Sequence, residues 1–188
     1  MNHVSKFNAS DWEKLLLKNA KANLELNKYL ITAVSNNGNF EFVLNFIASL
    51  KLNAYSKFFI ICLDIKLYEN MVKYGFANNA ALVPSSWLPY VPATKDSSWK
   101  TKDYNLITQT KVHIVYKLLL NGLTVLLTDV DLVWLSPNIV KYIDFVAPKH
   151  EFIYTTDAII ERQKTDHDND QFVANRVFKK LIQAFHKK

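Results

Sequence analysis

The sequence predicts an α/β domain with a mostly parallel sheet, and two observations support this. Short apolar, β-branched runs alternate along the chain with longer segments of helical periodicity. The run LTVLLT at residues 123–128 is apolar almost throughout, as expected of a central strand covered on both faces. This alternation favours parallel strands joined by right-handed crossovers, with helices on both sides of the sheet.

The other elements follow from local patterns. Further strands are predicted at residues 29–34, 57–63 and 80–83. Helices are predicted from apolar residues at helical spacing, at residues 40–52, 65–74 and 105–121. Gly75 and Gly122 are the expected stop signals of the last two helices. Residues 84–103 carry three prolines and are predicted to form a long loop, a feature that is often functional.

Residues 1–28 are predicted to be an N-terminal helical extension of a domain formed by residues 29–188. Asp11 is the predicted N-cap, and residues 14–26 are a predicted surface helix. The polar N-terminus lacks the apolar centre of a signal peptide, and no run of 18 apolar residues is present. We therefore expect no membrane span in this chain.

The composition describes a globular protein, with 49% hydrophobic and 21% charged residues. The net charge of +6 suits a phosphate-bearing ligand, a nucleic acid or an anionic membrane about equally. Because the basic residues are dispersed and form no recognition motif, we expect no nucleic-acid partner. The single cysteine, Cys62, lies in an apolar run and is expected to be a small core residue.

Two carboxylates, Asp129 and Asp131, directly follow the predicted central strand. In extended backbone they would point to the same side, and like charges this close favour a bound cation. The carboxyl edge of an open α/β sheet is where ligands bind. Carboxylate oxygens suit Mg²⁺ or Mn²⁺, which in turn bridge phosphate oxygens. The alternative is a strand-end aspartate that only caps the following turn.

The segment TQTKVHIVYKLLLNGLTVLLTDVDLVWLSP, residues 108–137, resembles the core of a known family. This is the nucleotide-diphospho-sugar transferase family related to plant xylosyl- and arabinosyltransferases. In that family a Lys-bearing helix, a Gly turn, an apolar strand, Asp-x-Asp and an apolar-Trp-apolar tail occur in this order. Weaker similarities lie at residues 38–50, 58–64, 155–157 and 170–175, so that the resemblance covers residues 30–181.

The resemblance implies a GT-A (Rossmann-like) fold and a metal-dependent glycosyltransferase. Such an enzyme moves a sugar from a nucleotide-sugar donor, here expected to be a UDP-sugar, to a hydroxyl of a glycan or glycoprotein acceptor. Asp129 and Asp131 would form the Mn²⁺ or Mg²⁺ site, with Asp131 as the direct ligand and Asp129 contacting the ribose or a metal-bound water. Lys111 becomes a candidate contact of the donor phosphate or nucleotide, the alternative being a solvated helix face.

The resemblance also implies catalytic residues in the C-terminal part of the chain. Asp170, with Gln171 beside it, is expected to hold the transferred sugar. Asp157 would line the sugar and acceptor side, although a plain surface carboxylate remains open for it. Related enzymes mostly work in the Golgi lumen, so this compartment is the expected location.

Two departures from the family pattern bear on activity. The family's Asn-Gly-Phe segment is absent between Asp157 and Asp170. The chain also ends at Lys188, soon after the predicted Asp-Gln helix, so the fold is expected to be C-terminally truncated. The alternative function is therefore a catalytically inactive relative that serves as a binding module.

Overall fold

The computed structural model describes residues 8–26, 28–88, 102–146 and 153. The strands of the described chain are β1 (Leu24–Glu25), β2 (Tyr29–Ser35), β3 (Phe59–Cys62), β4 (Ala80–Leu82) and β5 (Thr124–Leu127). The helices are α1 (Ala9–Ala22), α2 (Phe40–Leu52), α3 (Ile65–Lys73), α4 (Lys102–Leu120) and α5 (Ile139–Val146). The sheet lies in a compact unit of residues 1–135, and α5 belongs to a second unit of residues 136–188.

The sheet is mostly parallel, as predicted, and β2 lies at its centre. Thr32 of β2 pairs with Phe59 of β3 and with Leu127 of β5, so these two parallel strands occupy opposite edges of β2. β4 continues the sheet in parallel beyond β3, and among the described strands only the short β1 is antiparallel. After β2 the chain therefore forms β3 and β4 on one side of this strand and then returns to form β5 on its other side.

The core lies on both faces of this sheet. Alternate residues of β2, Leu30 and Val34, pack in one cluster with side chains of α1 and α4. Their neighbours Ile31 and Ala33 are fully buried on the opposite face. Helices α2 and α3 also have buried apolar sides, and α3 contacts β3 and β4. In the described chain no helix is long and apolar enough to cross a membrane.

Glycine ends α3 and α4, as the sequence predicts. Gly75 and Gly122 have φ of +83° and +75°, conformations that cost a residue with a Cβ more than they cost glycine. After α4, Gly122 N–H donates to Leu119 and Leu123 N–H donates to Leu118, which is the Schellman pattern. This turn directs the chain at once into β5.

The first helix differs from its prediction in its bounds and its N-cap. It begins at Ala9, and the N-cap is Asn8, whereas Asp11 closes the capping box from the third helical position. Leu16 and Ala20 of α1 are fully buried members of the core cluster. The helix therefore lies on the surface as predicted and packs its apolar stripe on one face of the sheet, but it covers residues 9–22 instead of residues 14–26.

Amide side chains join the end of α1 to the turn before β4. Asn19 Nδ2 donates to the carbonyl oxygens of Ala77 and Ala80 at 3.2 and 3.3 Å. Asn23 Nδ2 donates to Asn78 O at 2.7 Å, and Asn79 Nδ2 donates to Asn23 Oδ1 at 2.8 Å. These bonds satisfy buried backbone carbonyls that would otherwise be costly to bury.

The strand before the two carboxylates is less covered than predicted. Within the described residues β5 is an outer strand, its residues are half-buried or exposed, and 39% of the Leu127 surface is accessible. The apolar run alone does not determine which position in the sheet it occupies. The predicted proline-rich loop also extends too far at its C-terminal end, since α4 begins at Lys102. Residues 89–101 lie outside the described chain.

Cys62 is a core residue, as predicted, and its thiol is fully buried. Burial raises the pKa of this thiol well above its ordinary value, and the charge of Asp64 raises it further.

We expect native protein to resist labelling of Cys62 by a thiol reagent at pH 8, whereas guanidinium-unfolded protein reacts with one equivalent. Because the native state retains the proton, this group also lowers stability as the pH rises above the pKa of the unfolded thiol. Rapid labelling of the native protein would contradict the buried placement.

Candidate functional site

The candidate site lies beside β2, where the order in which the chain adds strands to the sheet reverses. Since β3 and β5 flank β2 on opposite edges, a crevice is expected outside the carboxyl ends of β2 and β5. Asp129 and Asp131 follow β5 directly and therefore lie at this edge. The structure thus places both predicted carboxylates at the sheet edge where α/β domains bind ligands.

The two carboxylates belong to residues 128–134, here called the acidic loop. Thr128 N–H donates to Thr32 O at 3.0 Å, which extends the pairing of β5 with β2 by one hydrogen bond. Beyond it the ladder stops, and residues 130–131 form a turn. The expectation of extended backbone through Asp131 was therefore wrong, and strand alternation no longer fixes where its side chain points.

Lys111 of α4 pairs with the first of these carboxylates. Its Nζ lies 2.5 Å from Asp129 Oδ1, and the accessible fractions of the two side chains are 27% and 56%. An exposed pair of this kind adds little to stability. It does compensate the charge of Asp129 and places the ammonium group at the carboxyl edge of the sheet. Lys111 therefore makes a defined contact with the acidic loop from a partly exposed helix face.

Asp131 differs from Asp129 in its surroundings. Its side chain is exposed, and no other described residue donates a hydrogen bond to it or pairs with it. An exposed carboxylate with open oxygens next to a compensated one is the kind of group that an external cation can bind. The two aspartates therefore differ in the availability of their oxygens.

The candidate cation ligands in the described part of the site are two carboxylates. No group of three or more His, Cys, Asp or Glu side chains that could hold a metal ion is found among the described residues. Mg²⁺ usually keeps several waters and binds one or two carboxylates together with phosphate oxygens. Asp129 and Asp131 match this pattern. Asp157, Asp170 and Gln171 lie outside the described residues.

The far end of the acidic loop is fixed on α2 through Trp134, which is 7% exposed. Trp134 N–H donates to Ser49 Oγ at 3.1 Å, and Asn53 Nδ2 donates to Trp134 O at 2.6 Å. The Tyr55 ring meets the indole edge-to-face with centroids 4.8 Å apart. Sequence reasoning missed these three partners, because no local pattern links α2 to a tryptophan about 80 residues further along the chain.

Another cleft lies at the same sheet edge. It has a volume of about 380 Å³ and is lined by Phe40, Phe42, Lys66 and Asn70 together with the loop after β2. Asp64 fixes that loop by accepting hydrogen bonds from Asn37 N–H and Leu67 N–H, at 2.7 and 2.9 Å. The carboxylate of Asp64 is therefore occupied by backbone donors, and Asp129 and Asp131 do not line this cleft.

A mostly parallel sheet flanked by helices, with an exposed carboxylate at its carboxyl edge, is consistent with a Rossmann-like domain. The sequence profile described as nucleotide-diphospho-sugar transferase matches residues 53–179, about two thirds of the chain. The chain belongs to this family, and its α/β sheet is consistent with the GT-A fold. Searches of curated proteins and of solved structures found no match.

The matched range contains both carboxylates and Lys111 as well as Asp157, Asp170 and Gln171. It begins at Asn53, the residue that contacts Trp134, so that β2 and all of α2 precede it. Membership of the family implies a nucleotide-sugar donor and an acceptor that receives the sugar.

Proposed function

We propose that this protein is a metal-dependent glycosyltransferase that binds the diphosphate of a nucleotide sugar at the acidic loop. The observation that carries the proposal is the exposed carboxylate of Asp131, which pairs with no other described residue and lies beside the Lys111–Asp129 pair where the strand order reverses. Family membership supplies the reaction class. The proposed cation is Mn²⁺ or Mg²⁺, and the proposed donor is a UDP-sugar.

In the proposed mechanism the leaving diphosphate accumulates negative charge as the bond to the anomeric carbon breaks. A cation at Asp131, when bound, would stabilise that charge as a Lewis acid. Lys111 offers a second positive charge, which Asp129 holds at the same edge before the donor arrives. When the donor binds there, the ammonium group of Lys111 exchanges part of its contact with Asp129 for a contact with phosphate. Because this group is already at the site, little reorganisation of the protein is needed during the reaction.

The remaining roles are proposed from the family pattern. Asp170 and Gln171 would hold the transferred sugar, and Asp157 would line the acceptor side. The acceptor hydroxyl, on a glycan or glycoprotein, forms the new bond to the anomeric carbon and releases its proton. Action in the Golgi lumen is part of the same proposal.

A non-catalytic binding module is the second candidate. The absence of the family's Asn-Gly-Phe segment between Asp157 and Asp170 favours it, because that segment would be expected to line the acceptor side. Such a protein would retain donor binding and lose transfer.

Two measurements test the proposal. We expect Mn²⁺ with one of UDP, GDP or ADP to raise the melting temperature by about 5–10 °C at a ligand concentration near 100 times Kd, because only the native state binds. Chelation by EDTA should remove the shift. Release of free sugar from the matching nucleotide sugar, measured with metal present, then separates the enzyme from the binding module. A chain that none of the three diphosphates stabilises in Mn²⁺ would contradict both.

A further inference from the structure

The acidic loop is fixed at both ends and exposed in between. The Thr128–Thr32 hydrogen bond fixes its start on β2, and the buried Trp134 fixes its end on α2. Leu132 and Val133, which connect Asp131 to this tryptophan, are exposed and therefore contribute little packing of their own. The conformation of the loop near Asp131 thus depends on the two fixed ends.

The Trp134 end is held by polar groups that are themselves oriented. Ser49 Oγ donates to Phe46 O at 2.8 Å, which leaves its lone pairs for Trp134 N–H. Asn53 Nδ2 donates to Ser49 O as well as to Trp134 O, at 3.0 and 2.6 Å. Both backbone groups of Trp134 are therefore bonded to one turn of α2.

The end of α2 adopts a strained backbone next to this contact. Ala54 has φ of +63°, a conformation that a residue with a Cβ adopts at some cost. Ala54 N–H donates to Lys51 O and Tyr55 N–H donates to Leu50 O, so a Schellman turn forms without glycine. This turn ends α2 between Asn53 and Tyr55, the two residues that meet Trp134 from either side of Ala54.

We infer that Ser49 and Asn53 are positioning residues, which hold the acidic loop in the conformation that presents Asp131 to the cation and diphosphate. The inference rests on the proposed function. The two side chains act through Trp134 and touch no ligand. Groups that orient a metal ligand in this way typically change metal affinity by about 10- to 100-fold when removed.

The test uses the whole chain with Ser49→Ala and Asn53→Ala, each of which removes a bond to Trp134. Asn79→Ala is the matched control, since it removes two comparable hydrogen bonds, to Asn23 Oδ1 and Phe58 O, far from the acidic loop in the chain. Hydrogen exchange of peptides covering residues 128–135 is measured without ligand, and binding of Mn²⁺ with UDP is measured by calorimetry.

We expect exchange over residues 128–135 to accelerate about tenfold or more in Ser49→Ala and Asn53→Ala, with Mn²⁺–UDP affinity about tenfold weaker. Asn79→Ala should leave both unchanged, even if its melting temperature falls. If hydrogen exchange over residues 128–135 is unchanged in the two test variants, Ser49 and Asn53 do not anchor the acidic loop. If exchange is faster but the affinity for Mn²⁺–UDP is unchanged, they are not positioning residues. If the unmutated protein binds none of UDP, GDP and ADP in the presence of Mn²⁺, the proposed function is overturned instead. The ligand-free exchange result distinguishes this outcome from failure of the anchoring.

Discussion

Asp131→Asn is expected to abolish the stabilisation by Mn²⁺ with a nucleoside diphosphate and to lower sugar transfer by at least about 100-fold. The amide keeps the shape of the side chain but loses the charge that an incoming cation requires. Because no described residue pairs with Asp131, its removal frees no buried partner, and the melting temperature without ligand should stay within about 1–2 °C. Thermal shift with and without Mn²⁺ and initial rates at fixed donor concentration measure both effects.

Asp129→Asn and Lys111→Met are the comparison variants for this prediction. Asp129 and Lys111 share one ion pair, so their substitutions should be non-additive in a double-mutant cycle, whereas each should be closer to additive with Asp131→Asn. If Asp131→Asn keeps the full stabilisation by Mn²⁺ with a nucleoside diphosphate and Asp129→Asn loses it, Asp129 and not Asp131 is the direct ligand.

Leu16→Ala is expected to lower the free energy of unfolding by about 3 kcal/mol, which corresponds to a fall in melting temperature near 10 °C. Leu16 is fully buried in the cluster that joins α1 and α4 to the sheet, and truncation leaves a cavity there. Chemical denaturation with a constant m-value would measure the change.

Leu15→Ala, the same substitution one residue earlier, is the matched control. Leu15 is half-buried and lies outside the core cluster, so its loss should cost clearly less. Equal and small effects of both variants would show that α1 is dispensable for the fold.

The elements of the sheet were predictable because their signals are local. The bounds of α2 were predicted to the residue at Phe40–Leu52, and β2 and β3 were displaced by at most two residues. Gly75 and Gly122 marked helix ends through a backbone conformation that is a property of glycine itself. Each of these signals requires only a few neighbouring residues and can therefore be recognised in the sequence alone.

Signals that depend on distant partners were read less well. The N-cap is an exception, since the capping box of Asn8 and Asp11 is a local signal and Asp11 was nevertheless predicted to be the cap. Whether the apolar stripe of α1 faces solvent or the sheet depends on β3 and β4, which lie at least 37 residues beyond its last residue. The exposure of β5 similarly depends on which strands lie beside it.

For the site, the sequence by itself indicated the family of the chain and predicted which groups would carry the chemistry: two aspartates after an apolar run and a lysine on the preceding helix. The tertiary structure decided how those groups differ, since only folding pairs Lys111 with Asp129 and leaves Asp131 exposed. It also brings Ser49 and Asn53 to Trp134. The physical reason is that charge compensation and hydrogen bonding act over a few ångströms in space, and the residues involved are separated by 18 to 85 positions along the chain.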